Sequence, residues 1–150
     1  MSLPLYSIRD ANELDIPALT ELINELGYPT TVDELTLRFN HIGQHPDYRT
    51  LVITVGQTVA GMAGLLKSYW YEKNGMYVRV LAFVVANSHR KKGLGKLLMD
   101  AVETWAKAID ANAIILTSGN RDERKPAHLF YQSLGYQIKS SGFVKNLAGN

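Results

Sequence analysis

The segment from Met76 to Ile109 constrains the fold more than any other part of the chain. It opens with "MYVRVLAFVV", which is apolar at every position from Leu81 onward. A strand that is apolar on both faces must be covered on both, so it is predicted to be central rather than an edge. Next comes "HRKKGLGKLL", and then Leu94, Leu97, Leu98, Ala101, Val102, Trp105 and Ile109 mark one face of a long helix. "AIILTS", Ala113 to Ser118, reads as a short buried strand. Together these pieces make a strand, helix, strand crossover onto a sheet.

The rest of the chain supplies the other layers. Tyr6 to Arg9 reads as a short strand. Asp15 is predicted to cap a helix that carries Ile16, Leu19, Leu22, Ile23 and Leu26 and stops at Gly27. "TVDE", Thr31 to Glu34, matches a capping box and opens a second helix, which fades near Gly43. Two apolar runs flank Gly56-Gln57, which is a hairpin signal. Pro126 suits the start of a last helix that carries Ala127, Leu129, Phe130 and Leu134 and ends at Gly135. "YQIKSSGFVKN" is expected to close the chain as one or two short strands. The predicted order is β, α, α, β, β, β, α, β, α, β. This is a mixed α/β layer domain spanning 1–150, and not a doubly wound sheet.

Composition excludes several classes. The chain has 150 residues, 46% of them hydrophobic and 20% charged, which suits one domain with a real core. A net charge of +2 is too balanced for a nucleic-acid coat or a polybasic membrane anchor. Without cysteine there is no disulfide, thiolate metal site or cysteine nucleophile. That absence fits a reducing cytoplasm, the expected location. The start "MSLPLYSIRD" lacks the basic and apolar regions of a signal peptide, and no run is long enough to span a bilayer. His41 and His45 lie four apart, but no third ligand is evident, so no metal is expected.

Positive charge is concentrated at Arg90, Lys91, Lys92 and Lys96, around Gly93 and Gly95. The first turn of a helix has free N–H groups and a partial positive charge, which makes it an anion site. Glycines there let a diphosphate approach the backbone. A Walker loop fails, because Arg90 stands where its first glycine belongs and Leu97 where its hydroxyl residue belongs. A dinucleotide fingerprint fails because Leu98 replaces its third glycine. The remaining pattern is Arg/Gln-x-x-Gly-x-Gly/Ala, which "RKKGLG" fits throughout.

With that hexapeptide and the later "AHLFYQSLGY", Ala127 to Tyr136, the chain resembles the GNAT acetyltransferases over nearly its whole length. The resemblance implies a central, mostly antiparallel sheet that splays at its middle, with helices on both faces. It implies acetyl-CoA as co-substrate. Phe83, Val84 and Val85 would pair with the pantetheine arm through their backbone, and a backbone N–H there would hold the oxyanion. The N–H groups of Lys91, Lys92, Gly93, Leu94, Gly95 and Lys96 would hold the diphosphate, with Arg90 at the rim. Asn120 would bond the pantetheine arm. Ala127 and Phe130 would shape the cofactor wall, and Tyr131 would protonate the departing thiolate. The plain alternatives are a turn cap for Asn120 and a packed tyrosine for Tyr131.

Two departures stand out. Many members carry a glutamate on the central strand as general base, whereas "YVRVLAF" offers Arg79 and no carboxylate. Glu72, Glu34 and His41 are substitutes by position only. Asn87 stands where relatives often have proline. On the acceptor side, Tyr69, Trp70 and Tyr71 beside Glu72 would suit a cationic amine. Their plain alternative is a hairpin tip that packs on its own core or on a second subunit, which leaves a homodimer open. The expected activity is acetyl transfer to a primary amine, on a small molecule or a protein. Its rival is a non-catalytic acyl-CoA-binding regulatory module, favoured by the missing carboxylate and opposed by Tyr131.

Overall fold

The computed structural model describes residues 5–119 and 122–148. They fall into two units, one ending at Leu116 and one beginning at Thr117. The first unit contains β1 (Tyr6–Asp10), α1 (Ile16–Leu26), α2 (Val32–Gln44), β2 (Tyr48–Val55), β3 (Thr58–Tyr69), β4 (Met76–Val85), α3 (Leu94–Ala108) and β5 (Ala111–Leu116). The five strands form one sheet in the order β1-β2-β3-β4-β5. The first three pairings are antiparallel, and β4 with β5 is parallel. This is the mixed α/β, mostly antiparallel sheet that the sequence predicts, and β4 has neighbours on both sides.

Helices cover both faces. Ile16, Leu19 and Leu22 of α1 and Leu35 of α2 pack with Val52, Met62 and Val84 of the sheet. On the other face α3 buries Leu94, Leu98, Met99, Val102 and Ala106. There Arg49 of β2 lies over the Trp105 ring, 5.3 Å from its centroid.

Local signals explain most element ends. Gly27 stops α1 in a left-handed conformation at φ 108°, where its N–H returns to Asn24 and Ile23. Thr31 and Glu34 form the reciprocal capping box that opens α2. Asp15 differs from expectation, because its side chain does not cap α1. Asn12 instead caps a 3-10 turn, Glu13–Asp15, and Asp15 is the returning partner of that cap. The Asp15 carboxylate accepts from the Asn12 N–H at 2.8 Å and from both terminal nitrogens of Arg9 at 2.7 and 2.9 Å.

Those bonds, with the one from Arg9 foremost, hold the buried Asp15 carboxyl below its usual range against the opposing effect of burial. A depressed folded-state value gives stability that is present above the unfolded value and lost as pH falls through the folded one. Replacing Asp15 with alanine is expected to cost about 2 kcal/mol near neutral pH. It should also flatten the acid side of the stability curve. Thermal melts between about pH 2 and pH 7 check both effects, and an acid limb as steep as the wild type's rules out this assignment.

Two strand predictions change. β5 begins two residues before the predicted start and ends at Leu116, so Thr117 and Ser118 leave the ladder. The reason is its partner, because the pairing with β4 stops at Val80↔Leu116. No strand forms among the described residues of "YQIKSSGFVKN", so the closing strands are not borne out. Ile138, Phe143 and Val144 are largely exposed there. Apolar alternation makes a strand only where a neighbour completes its hydrogen bonds.

The second unit contains a 3-10 turn, Asp122–Arg124, and α4 (Lys125–Ser133) with proline in its first turn as predicted. Gly135 follows at φ 95°.

Candidate active site

The site begins with a mismatch in the middle of the sheet. Gly64 pairs with Ala82 and Leu65 with Val80, so Leu81 is an extra residue in β4, a bulge. Before it, Val78 and Val80 are buried; after it, Val84 is buried in the α1 cluster. The β4–β5 ladder ends at the same point, at Val80. The last five residues of β4 therefore run on without β5 beside them.

The orientation of these residues follows from one bond. The Ala86 N–H donates to Ala60 of β3 at 2.8 Å. Strand alternation then turns the backbone groups of Phe83 and Val85 to the opposite side, the side that β5 has left. Val84 turns its own toward β3. Phe83 and Val85 are half-buried and Val84 is buried. Val84 thus belongs to the core, while Phe83 and Val85 turn their backbone groups away from β3, where the Val85 carbonyl accepts from Arg90 Nε.

The glycine loop continues from there. A 3-10 turn, Asn87–His89, follows Ala86. Lys91 and Gly93 both adopt left-handed backbone, at φ 63° and 82°. Alternating hands turn successive N–H groups toward one side and form a concavity suited to an anion. Gly93 is the N-cap of α3 and provides no side-chain cap. The N–H groups of Leu94, Gly95 and Lys96 precede the first intrahelical bond, Leu97 N–H to Gly93. A Cβ placed on Gly93 would meet nothing within 4 Å, so the loop is open where an anion would approach.

The cations divide by role. Arg90 Nε donates to the Val85 carbonyl at 3.0 Å, so Arg90 ties the loop to the end of β4 as well as adding charge. Lys96 pairs with Asp100 at 3.2 Å, one turn along α3. Lys91 and Lys92 are exposed. The Leu94 side chain is buried, so only its backbone can serve a ligand. Sequence reasoning missed one further contact here: the Asn87 N–H donates to Glu25 Oε1 of α1 at 2.7 Å.

The second unit holds the remaining predicted residues. Tyr131 is buried, and its ring meets those of Phe130 and Tyr136 edge-on at 5.5 and 6.4 Å. Burial pushes the Tyr131 phenol above its ordinary range, while Arg124 pulls it down through charge and a hydrogen bond. Arg124 is a partner that the sequence did not single out. Ala127 and Phe130 are half-buried on the same helix. His128 Nε2 bonds the Gly119 carbonyl at 2.8 Å and so fixes the loop before α4. The Ser118 hydroxyl is buried with no hydrogen-bond partner among the described residues. Asn120 lies outside the described residues.

Of the three acceptor-side aromatics, Trp70 is packed and Tyr69 and Tyr71 are not. Trp70 stacks on Tyr77 at 4.2 Å, carries Lys73 over its ring and donates to Asn112 at 2.7 Å. Tyr69 and Tyr71 are exposed. Glu72 lies in the turn at the Met76 end of β4. At about 3.3 Å per residue, that end is about 30 Å along the strand from Val85. Glu72 is therefore a poor substitute for the missing base. Glu34 is engaged in the capping box, and His45 accepts from the Asp47 N–H. No group of three acidic or histidine side chains among the described residues could hold a metal ion. No helix among them is long and apolar enough to cross a membrane.

Comparison with known proteins agrees with this geometry. The family model described as acetyltransferase (GNAT) matches residues 13–136. The uncharacterized N-acetyltransferase YhdJ of Bacillus subtilis (strain 168) is 28% identical over 130 residues, 86% of this chain and 87% of that protein. The crystal structure of a GNAT family acetyltransferase from Staphylococcus aureus subsp. aureus USA300_TCH1516 is 36% identical. It covers 95% of this chain and 98% of its own, with a TM-score of 0.81. An aminoglycoside N-acetyltransferase in complex with CoA shares the fold at 18% identity and a TM-score of 0.82, over 97% of this chain and 96% of its own.

Proposed function

The chain belongs to the GNAT acetyltransferase family, and on that premise we propose that it moves an acetyl group from acetyl-CoA to a primary amine on a small molecule. The observation that carries the reading is the coincidence of three features at one end of β4. They are the end of the β4–β5 ladder, the left-handed loop at Lys91 and Gly93, and the uncapped start of α3.

Acetyl-CoA supplies the acetyl group as a thioester, whose carbonyl the acceptor nitrogen attacks directly. The backbone groups of Phe83 and Val85 hold the pantetheine arm in the manner of a neighbouring strand. An N–H from this stretch steadies the charge that develops on the carbonyl oxygen. The N–H groups from Lys91 to Lys96 hold the diphosphate, and the exposed Lys91 and Lys92 add charge at its rim. Tyr131 gives its proton to the departing sulfur. A phenol is protonated at neutral pH, the state that role needs, and Arg124 works against the burial that holds the proton more tightly. β4 carries no carboxylate between Met76 and Val85, so the acceptor attacks as the neutral amine from solution. The proton its nitrogen loses as the amide forms passes to solvent, and Tyr131 regains its own proton from solvent.

Calorimetric titration with acetyl-CoA, using NAD and ATP as controls, tests the cofactor reading. Selective binding of acetyl-CoA is expected; equal binding of all three, or none, overturns it. A thiol-release assay across polyamines, amino sugars and peptides then tests the acceptor class, and turnover with peptides alone would reject the small-molecule reading.

A further inference from the structure

We infer that Glu25 is a positioning residue that latches α1 to the diphosphate loop through the Asn87 N–H; the inference rests on the acetyl-CoA reading above. The contact joins residues far apart in sequence, with Glu25 Oε1 accepting from Asn87 N–H at 2.7 Å. Asn87 is the second residue after β4 and opens the 3-10 turn that leads into Arg90. α1 is a firm anchor, since Ile16, Leu19 and Leu22 pack with Val84 of β4 and with Ala82 and Ala86.

Glu25 is otherwise badly placed. It lies in the last turn of α1, where the helix dipole disfavours a carboxylate. Glu21 stands one turn before it, a like charge at i,i+4 spacing. A charged acceptor on the Asn87 N–H gives that position a reason. The latch requires a residue other than proline at 87, because proline has no N–H to donate. Backbone strain does not exclude proline: Ala86 sits at φ −54°, ψ 140°, the conformation favoured before it, and position 87 opens a helical turn. Two tethers therefore hold the loop. Arg90 ties it to the end of β4, and Glu25 ties it to α1.

Three variants test this: Glu25→Ala removes the acceptor, Asn87→Pro removes the donor, and Glu25→Gln keeps an acceptor without charge. Amide exchange of the ligand-free protein reads the contact directly. Asn87 should exchange faster in Glu25→Ala than in wild type, with Glu25→Gln restoring slow exchange. Calorimetry with CoA reads the consequence. Kd should rise about 5- to 10-fold in Glu25→Ala and Asn87→Pro, and the double variant should be no worse than either. Glu25→Gln should return Kd close to wild type.

Unchanged exchange or unchanged Kd in both Glu25→Ala and Asn87→Pro overturns the latch. So does a Glu25→Gln variant whose kcat collapses with Kd intact, since that would make Glu25 a proton acceptor. A wild-type protein that fails to bind CoA overturns the cofactor reading instead, and the exchange experiment still decides whether the contact exists.

Discussion

Replacing Tyr131 with phenylalanine is expected to lower kcat about 100-fold while acetyl-CoA affinity stays within about twofold. The substitution removes one oxygen and leaves the ring packed against Phe130 and Tyr136. The lost hydroxyl is a buried group whose phenol burial pushes above its ordinary range while Arg124 pulls it down. Its loss also leaves Arg124 without that partner, at a cost of about 1 kcal/mol in stability. Steady-state kinetics, calorimetry and a thermal melt separate these effects. A variant that turns over at the wild-type rate would remove Tyr131 from the chemistry and leave it a packing residue.

Gly93→Asp is expected to weaken acetyl-CoA binding about 100-fold without unfolding the protein. The position combines φ 82° with open space around a new Cβ. Aspartate tolerates left-handed backbone better than most residues, and a carboxylate at a helix N-terminus is favourable by about 0.3–1 kcal/mol. Strain and helix dipole therefore largely cancel, and the melting temperature should move little. Binding should respond in the opposite sense, because the carboxylate would stand at the place proposed for the diphosphate and carry the same sign of charge. Calorimetry beside a melt gives the answer, and full affinity in the folded variant would show that the diphosphate lies elsewhere.

What the sequence revealed follows the range of the forces involved. The capping box at Thr31 and Glu34, the stop at Gly27, the hairpin at Gly56 and Pro126 at the head of α4 are decided within a few residues, and all stand in the structure. The glycine loop was legible for the same reason. Asp15 departs from the expected cap because Asn12 competes for the same helix start and Arg9 draws the carboxylate toward β1. The sequence leaves Trp70 between an acceptor contact and packing, because its partner Asn112 lies 42 residues away. The Glu25–Asn87 bond spans 62 residues, and no local pattern announces it. The closing strands failed on a non-local requirement too, since alternation in "YQIKSSGFVKN" does not provide a neighbour.

The extra residue at Leu81 carries a different kind of information. It is half-exposed, so the core asks little of its chemistry. Its presence decides which way every later residue of β4 faces: Val84 inward beneath α1, Phe83 and Val85 with their backbone groups away from β3. Remove that residue and both assignments exchange at once, although no contact of the leucine itself is at stake. At this position the fold depends on a count rather than a side chain: exchanging Leu81 for another residue leaves the alternation of β4 in place, and deleting it does not.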